Sequence, residues 1–423
     1  MADVAEASLV SRAIGFVGTY IPRRCGIATF TFDLAEAVAR VVGTQRPVYV
    51  VAMNENAEGY PYPSRVRFQI QQEDVSHYLR AARFLNEHCD VVSLQHEFGI
   101  FGGEGGSLVL RLIEKLRIPL VVTCHTVYGE PEPDKRDVLR EIVASAHKLV
   151  VMDRWGIDFL QSIYGARREQ IVYIRHGVHD IPFQDPPDEK QVFGVKGPVI
   201  LTFGLLHRNK GIEYMIDAMA TIIRVRPDVT YVVAGQTHPA IVRQEGESYR
   251  RSLEARVEEL GLQSHVKFID RFAELSDLMT YLSQADMFAA PYLFLDQMTS
   301  GALSYAVGAG NAVIATPFHH AKELLAEGRG CLVPVGDSVA LSGAVLDLLE
   351  NKSKMNEMRR KAYEHTRGMV WPVVAREYVG VFRRVSRRVA APASIRPELP
   401  VRSARRLAAG VRSRRGGAPS REV

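Results

Sequence analysis

The segment Met287–Thr316, MFAAPYLFLDQMTSGALSYAVGAGNAVIAT, contains the pattern that decides the fold. It opens with an apolar run typical of a buried strand and passes through the polar turn DQMTSG. A stretch of small residues that favours a helix follows, and the segment closes with a second β-branched run, AVIAT. Strand, helix and strand in this order form the crossover unit of a parallel sheet. Because free backbone N–H groups at a helix start point into the preceding turn, the segment also predicts an anion site.

The same alternation runs through most of the chain. Seven apolar runs come first: AIGFVGTY, PVYVVAMN, VRFQIQQ, VVSLQH, PLVVTCH, KLVVMD and IVYIRHGV. A Pro- and charge-rich break at 181–197 is followed by six more: PVILTFG, VTYVVAG, HVKFIDR, MFAAPYL, AVIAT and CLVPV. Continuous apolar strands with helical segments between them indicate α/β architecture, with parallel sheets covered on both faces.

The short break predicts two Rossmann-like domains that face each other across a cleft. We expect the domains at 13–182 and 198–365, a helical segment at 366–388 and a tail at 389–423. The tail is rich in Pro, Ala, Gly and Ser and poor in large apolar residues, which predicts disorder.

Composition excludes several classes of protein. The chain has 423 residues, 47% of them hydrophobic and 24% charged, as in soluble globular proteins with more than one domain. It lacks the run of ~18 apolar residues that a membrane span needs. Its N-terminus, MADVAEASLVSR, does not have the pattern of a secretory signal, so we expect a cytoplasmic protein. The four Cys are scattered, which favours free thiols over a zinc site.

The positive charge is concentrated at the C-terminus. Residues 383–423 contain twelve Arg and two Glu, whereas the whole chain has a net charge of only +5. This arginine-rich tail is interpreted either as a solvated segment or as a contact with an anionic membrane surface. Nucleic acid is not expected as a partner, because no aromatic pattern accompanies the charge.

Ligands of such sheets collect beyond the carboxyl ends of the strands. In the first domain, TYIPRRCGIATF follows the first strand, QHEFGIFGG follows the fourth, and the next strand ends at a histidine. Two histidines at neighbouring strand ends indicate a site, although they could also cap helices or fill polar gaps. The candidates on this side are Arg24, Gly26, Thr29, His96, Glu97 and His125.

In the second domain, two cations follow the first strand in LTFGLLHRNKGIEY. Arg208 can place two N–H groups on phosphate oxygens, and Lys210 acts as a point charge. A Ser-Gly helix start in another loop of the same domain completes a predicted diphosphate site. Together the loops of this domain supply Gly204, Gly235, Gln236, Arg271, Thr299, Ser300 and Gly301 as donor-binding candidates.

The chain resembles the retaining family 4 glycosyltransferases of GT-B fold, and in particular their mannosyltransferase-like branch. The resemblance extends over about residues 14–382 and is based on TYIPRRCGIATF, HEFGIFGG, FGLLHRNKGIEY, PY…DQMTSG…YAVGAGNAVIAT and AKELLAEGRGCLVP. It implies transfer of a hexose, mannose or glucose, from a nucleotide-diphosphate sugar to a glycan or lipid-linked acceptor. It also implies acceptor binding by the first domain, donor binding by the second, and a last helix that crosses back to the first domain.

The resemblance also assigns roles to residues. His125 matches the family histidine that lies against the donor sugar, and Lys210 keeps the offset of the family lysine from Gly204. The family usually has two Glu eight positions apart at the phosphate turn, where this chain has Gln297 and Tyr305. Gln297 is therefore expected to face the sugar and Tyr305 to lie near the ribose.

A further departure from the family is that the usual arginine after the turn glycine is replaced by Leu205, and Arg208 is a candidate to supply the lost charge. We expect His125, Arg208, Lys210 and Gln297 to take part in catalysis. Because cationic side chains and amides can neutralise a diphosphate, no metal ion or other cofactor is expected. The loss of both carboxylates leaves two alternatives open: a non-catalytic sugar-nucleotide or glycan-binding protein, and a glycan phosphorylase.

Overall fold

A computed structural model describes residues 12–390 of the chain. The predicted tail at 389–423 lies outside the described residues, apart from its first two positions, which end the last helix. A contact between the tail and an anionic membrane stays a prediction, and so does the cytoplasmic location of the protein. Within the described range, no helix is both long and apolar enough to cross a bilayer.

The first sheet has seven parallel strands in the order β3-β2-β1-β4-β5-β6-β7. Its strands are β1 (Ala13–Gly18), β2 (Val48–Asn54), β3 (Val66–Gln71), β4 (Cys89–His96), β5 (Leu120–Cys124), β6 (Lys148–Val151) and β7 (Ile171–Tyr173). Every residue of β1 and β5 is buried, which is why these strands are continuous apolar runs and not alternating ones.

The second large sheet has six parallel strands in the order β12-β11-β10-β13-β14-β15. A short antiparallel pair, β8 and β9, lies in the segment before it. These strands are β8 (Glu189–Lys190), β9 (Val195–Lys196), β10 (Val199–Phe203), β11 (Thr230–Ala234), β12 (Val266–Ile269), β13 (Met287–Ala290), β14 (Ala312–Ala315) and β15 (Cys331–Leu332). All thirteen predicted runs therefore form strands of the two large sheets.

Helices cover both faces of each sheet and build the core against them. The α-helices are α1 (Gly26–Val42), α2 (Val75–His88), α3 (Val109–Ile113), α4 (Pro133–Ser145), α5 (Trp155–Ser162), α6 (Ile212–Val225), α7 (Pro239–Glu245), α8 (Ser248–Glu259), α9 (Leu275–Gln284), α10 (Gly301–Gly308), α11 (His319–Leu324), α12 (Ser338–Glu350), α13 (Lys352–Thr366) and α14 (Trp371–Ala390). Short 3-10 turns lie at Gly43–Gln45, Phe98–Ile100, Glu104–Gly106, Arg168–Gln170, Arg208–Lys210 and Arg367–Met369.

The last helix, α14, returns to the first domain. Its buried residues Tyr378 and Phe382 belong to the same apolar cluster as Phe16 of β1. The ring of Phe382 lies edge-on to that of Phe16, with 6.2 Å between centroids. The Tyr378 hydroxyl lies 3.0 Å from the Thr123 hydroxyl of β5. The expected fold, two Rossmann-like domains with a helix that crosses back, is confirmed.

Candidate active site

The loops after β10 and β13 are joined to each other beyond the carboxyl ends of their strands. The Leu293 N–H donates to the Asn209 carbonyl oxygen at 2.9 Å. Gly211 has a φ of +60°, and a Cβ at this position would collide with the Pro291 carbonyl oxygen. Glycine is therefore required where the two loops meet, both for its left-handed backbone and for the close approach.

Lys210 lies in the floor of this region. The residue is only 9% exposed, and its Nζ donates to the Tyr292 hydroxyl at 2.8 Å. A Cβ built on Gly204 would lie 3.9 Å from Lys210 Nζ, so the ammonium is next to the glycine turn. Gly235 packs against the same turn so closely that a Cβ there would collide with the Gly204 carbonyl oxygen. The sequence offset between Gly204 and Lys210 thus brings the ammonium beside the glycine turn, and its donor-binding role stays a prediction.

Arg208 points elsewhere. Its side chain is 62% exposed, and Nη2 lies 3.4 Å from Glu245 Oε2. Its guanidinium carbon lies 5.6 Å from the ring centroid of Tyr249. Lys210 and Arg208 thus share a loop but not a direction, and joint binding of one diphosphate would require Arg208 to leave Glu245.

The start of α10 has the form predicted from DQMTSG. Ser300 is the N-cap, and its Oγ accepts from the Leu303 N–H at 3.2 Å. The Ser300 N–H itself donates to His320 Nδ1 at 2.9 Å. Among the described residues, the N–H groups of Gly301 and Ala302 have no acceptor. These two amides, and not that of Ser300, are the ones available to an anion.

Two side chains of the same turn are engaged within the protein. Gln297 Nε2 donates to the Thr299 carbonyl oxygen at 3.1 Å. The Tyr305 hydroxyl donates to Asp33 Oδ2 of α1 at 3.0 Å, across the two domains. Burial, followed by the nearby Asp33 carboxyl, holds the pKa of Tyr305 well above its ordinary value. That Tyr305 lies near the donor's ribose stays a prediction. A ribose bound there would have to share the Tyr305 hydroxyl with the Asp33 carboxylate.

An open cleft of about 1170 Å³ lies mostly in the first domain and is bounded on one side by the second. Arg24, Gly26 and Glu97 are among the residues that line it, together with Arg243 of the second domain. Arg24 Nη1 donates to Gln236 Oε1 at 3.1 Å, which joins two of the predicted residues across the cleft. Three of the predicted acceptor-side residues therefore lie on one cavity, and their role in acceptor binding stays a prediction.

The other predicted acceptor-side residues are not on that cavity wall. The Thr29 hydroxyl donates to the Cys25 carbonyl oxygen at 3.4 Å. His96 is fully buried, neither of its ring nitrogens has a hydrogen-bond partner within residues 12–390, and burial lowers its pKa to about 4. Glu97, which does line the cavity, accepts from the Thr126 hydroxyl at 2.6 Å, and burial raises its pKa.

His125 is buried in the first domain, just after β5. Its Nε2 is 3.2 Å from Gln95 Oε1, and its ring lies edge-on to Phe30 of α1 with centroids 4.7 Å apart. Burial lowers the pKa of His125 to about 3, so its ring is neutral near pH 7. Arg271 is more peripheral, because it is 55% exposed and its Nη2 donates to the Tyr281 hydroxyl at 2.6 Å.

Several residues that the sequence analysis did not single out complete the site. His176 and His179 follow β7 in IRHGVHD, and His179 Nε2 lies 3.1 Å from the same Asp33 Oδ2 that Tyr305 contacts. Inspection of the last strand end of the first sheet would have found both histidines. Asp33 and His320 lie within helices and carry no comparable signal. Within residues 12–390, no group of three or more His, Cys, Asp or Glu side chains is arranged to hold a metal ion.

Two family models match the chain, one over each domain. The model described as Glycosyltransferase Family 4 matches residues 25–180, and that described as Glycosyl transferases group 1 matches residues 197–351. The chain belongs to glycosyltransferase family 4. Family membership confirms the expectation of an enzyme that transfers a hexose.

The relatives of this family 4 glycosyltransferase are distant. It is 24% identical over 290 residues to a phosphatidyl-myo-inositol mannosyltransferase of Mycolicibacterium smegmatis, covering 66% of this chain and 69% of the relative. It is 25% identical over 326 residues to a D-inositol 3-phosphate glycosyltransferase of Jonesia denitrificans, covering 70% and 72%. The crystal structure of Anabaena Alr3699/HepE in complex with UDP and glucose superposes with a TM-score of 0.70 at 18% identity, covering 88% of this chain and 100% of that chain. At that identity the likeness shows the GT-B fold.

Proposed function

We propose that this enzyme moves a hexose, mannose or glucose, from a nucleotide-diphosphate sugar to a glycan or lipid-linked acceptor with retention of anomeric configuration. The observation that carries the proposal is the presence of a buried ammonium, that of Lys210, and of open amides at Gly301 and Ala302 after two strands of one domain whose loops are hydrogen-bonded to each other. Mannosyltransferases among the relatives and a structural neighbour bound to UDP and glucose support the choice of donor class.

In this proposal the site stabilises the leaving group. Cleavage of a glycosyl–phosphate bond builds negative charge on the diphosphate, and fixed donors aimed at that charge lower the barrier. Lys210 would supply one positive charge, and the amides at the start of α10 would supply two N–H groups. The departing phosphate would take the acceptor's proton on the same face, so that no protein carboxylate acts as nucleophile. Since side chains and amides meet the charge, the proposed reaction needs no metal ion.

The acceptor would enter through the open cleft of the first domain. Arg24, Gly26 and Glu97 line that cleft, and Gln236 meets Arg24 from the donor side. His125 and Gln297 are proposed to face the transferred sugar. A cleft of about 1170 Å³ has room for an acceptor of more than one sugar ring.

Two matched variants in one loop test the diphosphate site. Lys210→Ala is expected to lower kcat about 100-fold or more, because a buried charge that stabilises the transition state is lost. Arg208→Ala is expected to lower kcat by less than about tenfold, because its exposed guanidinium is paired with Glu245. The measurement is nucleotide release from UDP-glucose and GDP-mannose with a set of glycan acceptors. An unchanged rate in Lys210→Ala would refute the diphosphate role, and equal losses would place Arg208 on the diphosphate.

A further inference from the structure

Two buried imidazoles, those of His176 and His320, lie beside the start of α10 and are called the imidazole pair below. His176 follows β7 in the first domain, and His320 is the second residue of α11 in the second domain. Each is no more than 5% exposed. A Cβ built on Gly301, the first residue of α10, would lie 3.3 Å from His176 Nε2. The pair therefore adjoins the turn proposed to bind the diphosphate.

Backbone groups fix the hydrogen position on each ring. The Ser300 N–H donates to His320 Nδ1 at 2.9 Å, so this nitrogen is unprotonated and the ring hydrogen is on Nε2. His176 Nδ1 lies 2.7 Å from the Gly177 carbonyl oxygen, which can only accept. Its hydrogen is therefore on Nδ1, and Nε2 has the lone pair. The pair presents one N–H donor and one nitrogen acceptor.

Near neutral pH, His320 Nε2 remains a hydrogen-bond donor and His176 Nε2 remains an acceptor. Burial lowers the pKa of His176 to about 4 and that of His320 to about 3, and the charge of His176 would lower the pKa of His320 further. Both rings are thus neutral at pH 7. Among the described residues, neither His176 Nε2 nor His320 Nε2 has a hydrogen-bond partner.

The two nitrogens suit a different chemical group from the neighbouring amides. Phosphate oxygens near pH 7 chiefly accept hydrogen bonds, which matches the N–H groups of Gly301 and Ala302 but not the lone pair of His176. A hydroxyl both donates and accepts, which matches the imidazole pair. Hydroxyls of the hexose are the donor's groups of this kind closest to its diphosphate.

We propose that the imidazole pair binds one hydroxyl of the donor's hexose, which accepts from His320 Nε2–H and donates to His176 Nε2. This inference rests on the proposed function, because it takes the turn at Ser300 as the diphosphate site. The two residues come from different domains, so the hydroxyl would also bridge the domains on binding. The pair is a specificity determinant, since a sugar without that hydroxyl leaves both nitrogens unpaired.

The test uses the full chain and isothermal titration calorimetry. The ligands are UDP-glucose, GDP-mannose, the parent UDP and GDP, and the four monodeoxy analogues of whichever nucleotide sugar binds more tightly. In His320→Asn the shorter amide can still accept from the Ser300 N–H but no longer reaches the hydroxyl. In His320→Gln the amide nitrogen takes the place of Nε2, so this variant should recover part of the sugar affinity.

One deoxy analogue is expected to bind the wild type about tenfold more weakly than its parent. His320→Asn should lose about tenfold for the parent sugar, show no further loss with that same analogue, and bind the nucleoside diphosphate within about twofold of the wild type. Equal losses for nucleotide and nucleotide sugar, or a wild type indifferent to every deoxy change, would overturn the inference while the diphosphate site stands. A wild type that binds none of these ligands would overturn the proposed function and the inference together.

Discussion

Two helices, α1 of the first domain and α10 of the second, begin near the junction of the domains, and their starts differ in what surrounds them. Each start follows a strand and a turn, has glycine as its first residue, and is N-capped by a side chain, Cys25 in α1 and Ser300 in α10. At Gly26 of α1, a Cβ would meet no atom within 4 Å. At Gly301 of α10, the same Cβ would press against His176. One start is open to a large cavity and the other is enclosed.

Under the proposed function, the difference bears on how the two substrates would be recognised. An open helix start on a large cleft would suit acceptors of different shape. An enclosed start, with buried rings of fixed tautomer, is suited to one group in one orientation. The Tyr305–Asp33 hydrogen bond connects the two helices, so the enclosed start is fixed in position relative to the open one.

Acid should disrupt the enclosed start most strongly. His125, His176 and His320 have native pKa values of about 3 to 4, below the ordinary value of 6.5. The unfolded chain therefore binds more protons than the native one between those values, and stability present above pH 6.5 is lost as pH falls. Each histidine contributes about 1.4 kcal/mol of lost unfolding free energy per pH unit.

Urea denaturation between pH 7.5 and 5 measures this slope. His176→Gln should reduce the slope of unfolding free energy against pH by about 1.4 kcal/mol per pH unit, the contribution of one histidine. A wild-type unfolding free energy independent of pH over this range would show that the rings around α10 are not held neutral.

The sequence predicted where the two helix starts lie better than what surrounds them, for a physical reason. Apolar runs are local, so every strand of the two large sheets could be found, and strand ends led directly to Lys210 and Ser300. The direction of Arg208 depends on Glu245, which is 37 residues away. The partner of Tyr305 is 272 residues away, and the tautomer of His320 depends on a turn 20 residues earlier. Such pairings are properties of tertiary packing and leave no local pattern.

Removal of the link between the helices should cost less than acid. Tyr305→Phe leaves the Asp33 carboxyl, which is 7% exposed, without one of its two donors. Loss of a hydrogen bond to a charged group typically costs about 1.5–3 kcal/mol of unfolding free energy. Tyr164→Phe is the control, because its hydroxyl donates to the Tyr128 carbonyl oxygen within the first domain.

Chemical denaturation gives both stabilities, and titration with UDP or GDP gives the nucleotide affinity. Tyr305→Phe is expected to change both quantities, since it frees α10 from α1, whereas Tyr164→Phe should lower stability alone. If the two variants bind nucleotide equally well, the Tyr305–Asp33 contact does not position the enclosed start.

The smallest effect comes from a single methyl group placed at each helix start. Gly301→Ala puts a Cβ 3.3 Å from His176 Nε2, closer than ordinary van der Waals contact, so the ring or the helix must shift by a few tenths of an ångström. We expect UDP or GDP to bind about tenfold more weakly, because the amides of Gly301 and Ala302 move with the helix. Gly26→Ala changes the same residue type at the same helical position and meets nothing. Helix propensity improves equally in both variants, so it cancels in the comparison. The nucleotide affinities of both variants are measured by calorimetry. Equal affinities would show that a methyl group at Gly301 disturbs nucleotide binding no more than one at Gly26, and the distinction between an enclosed and an open start would then be wrong.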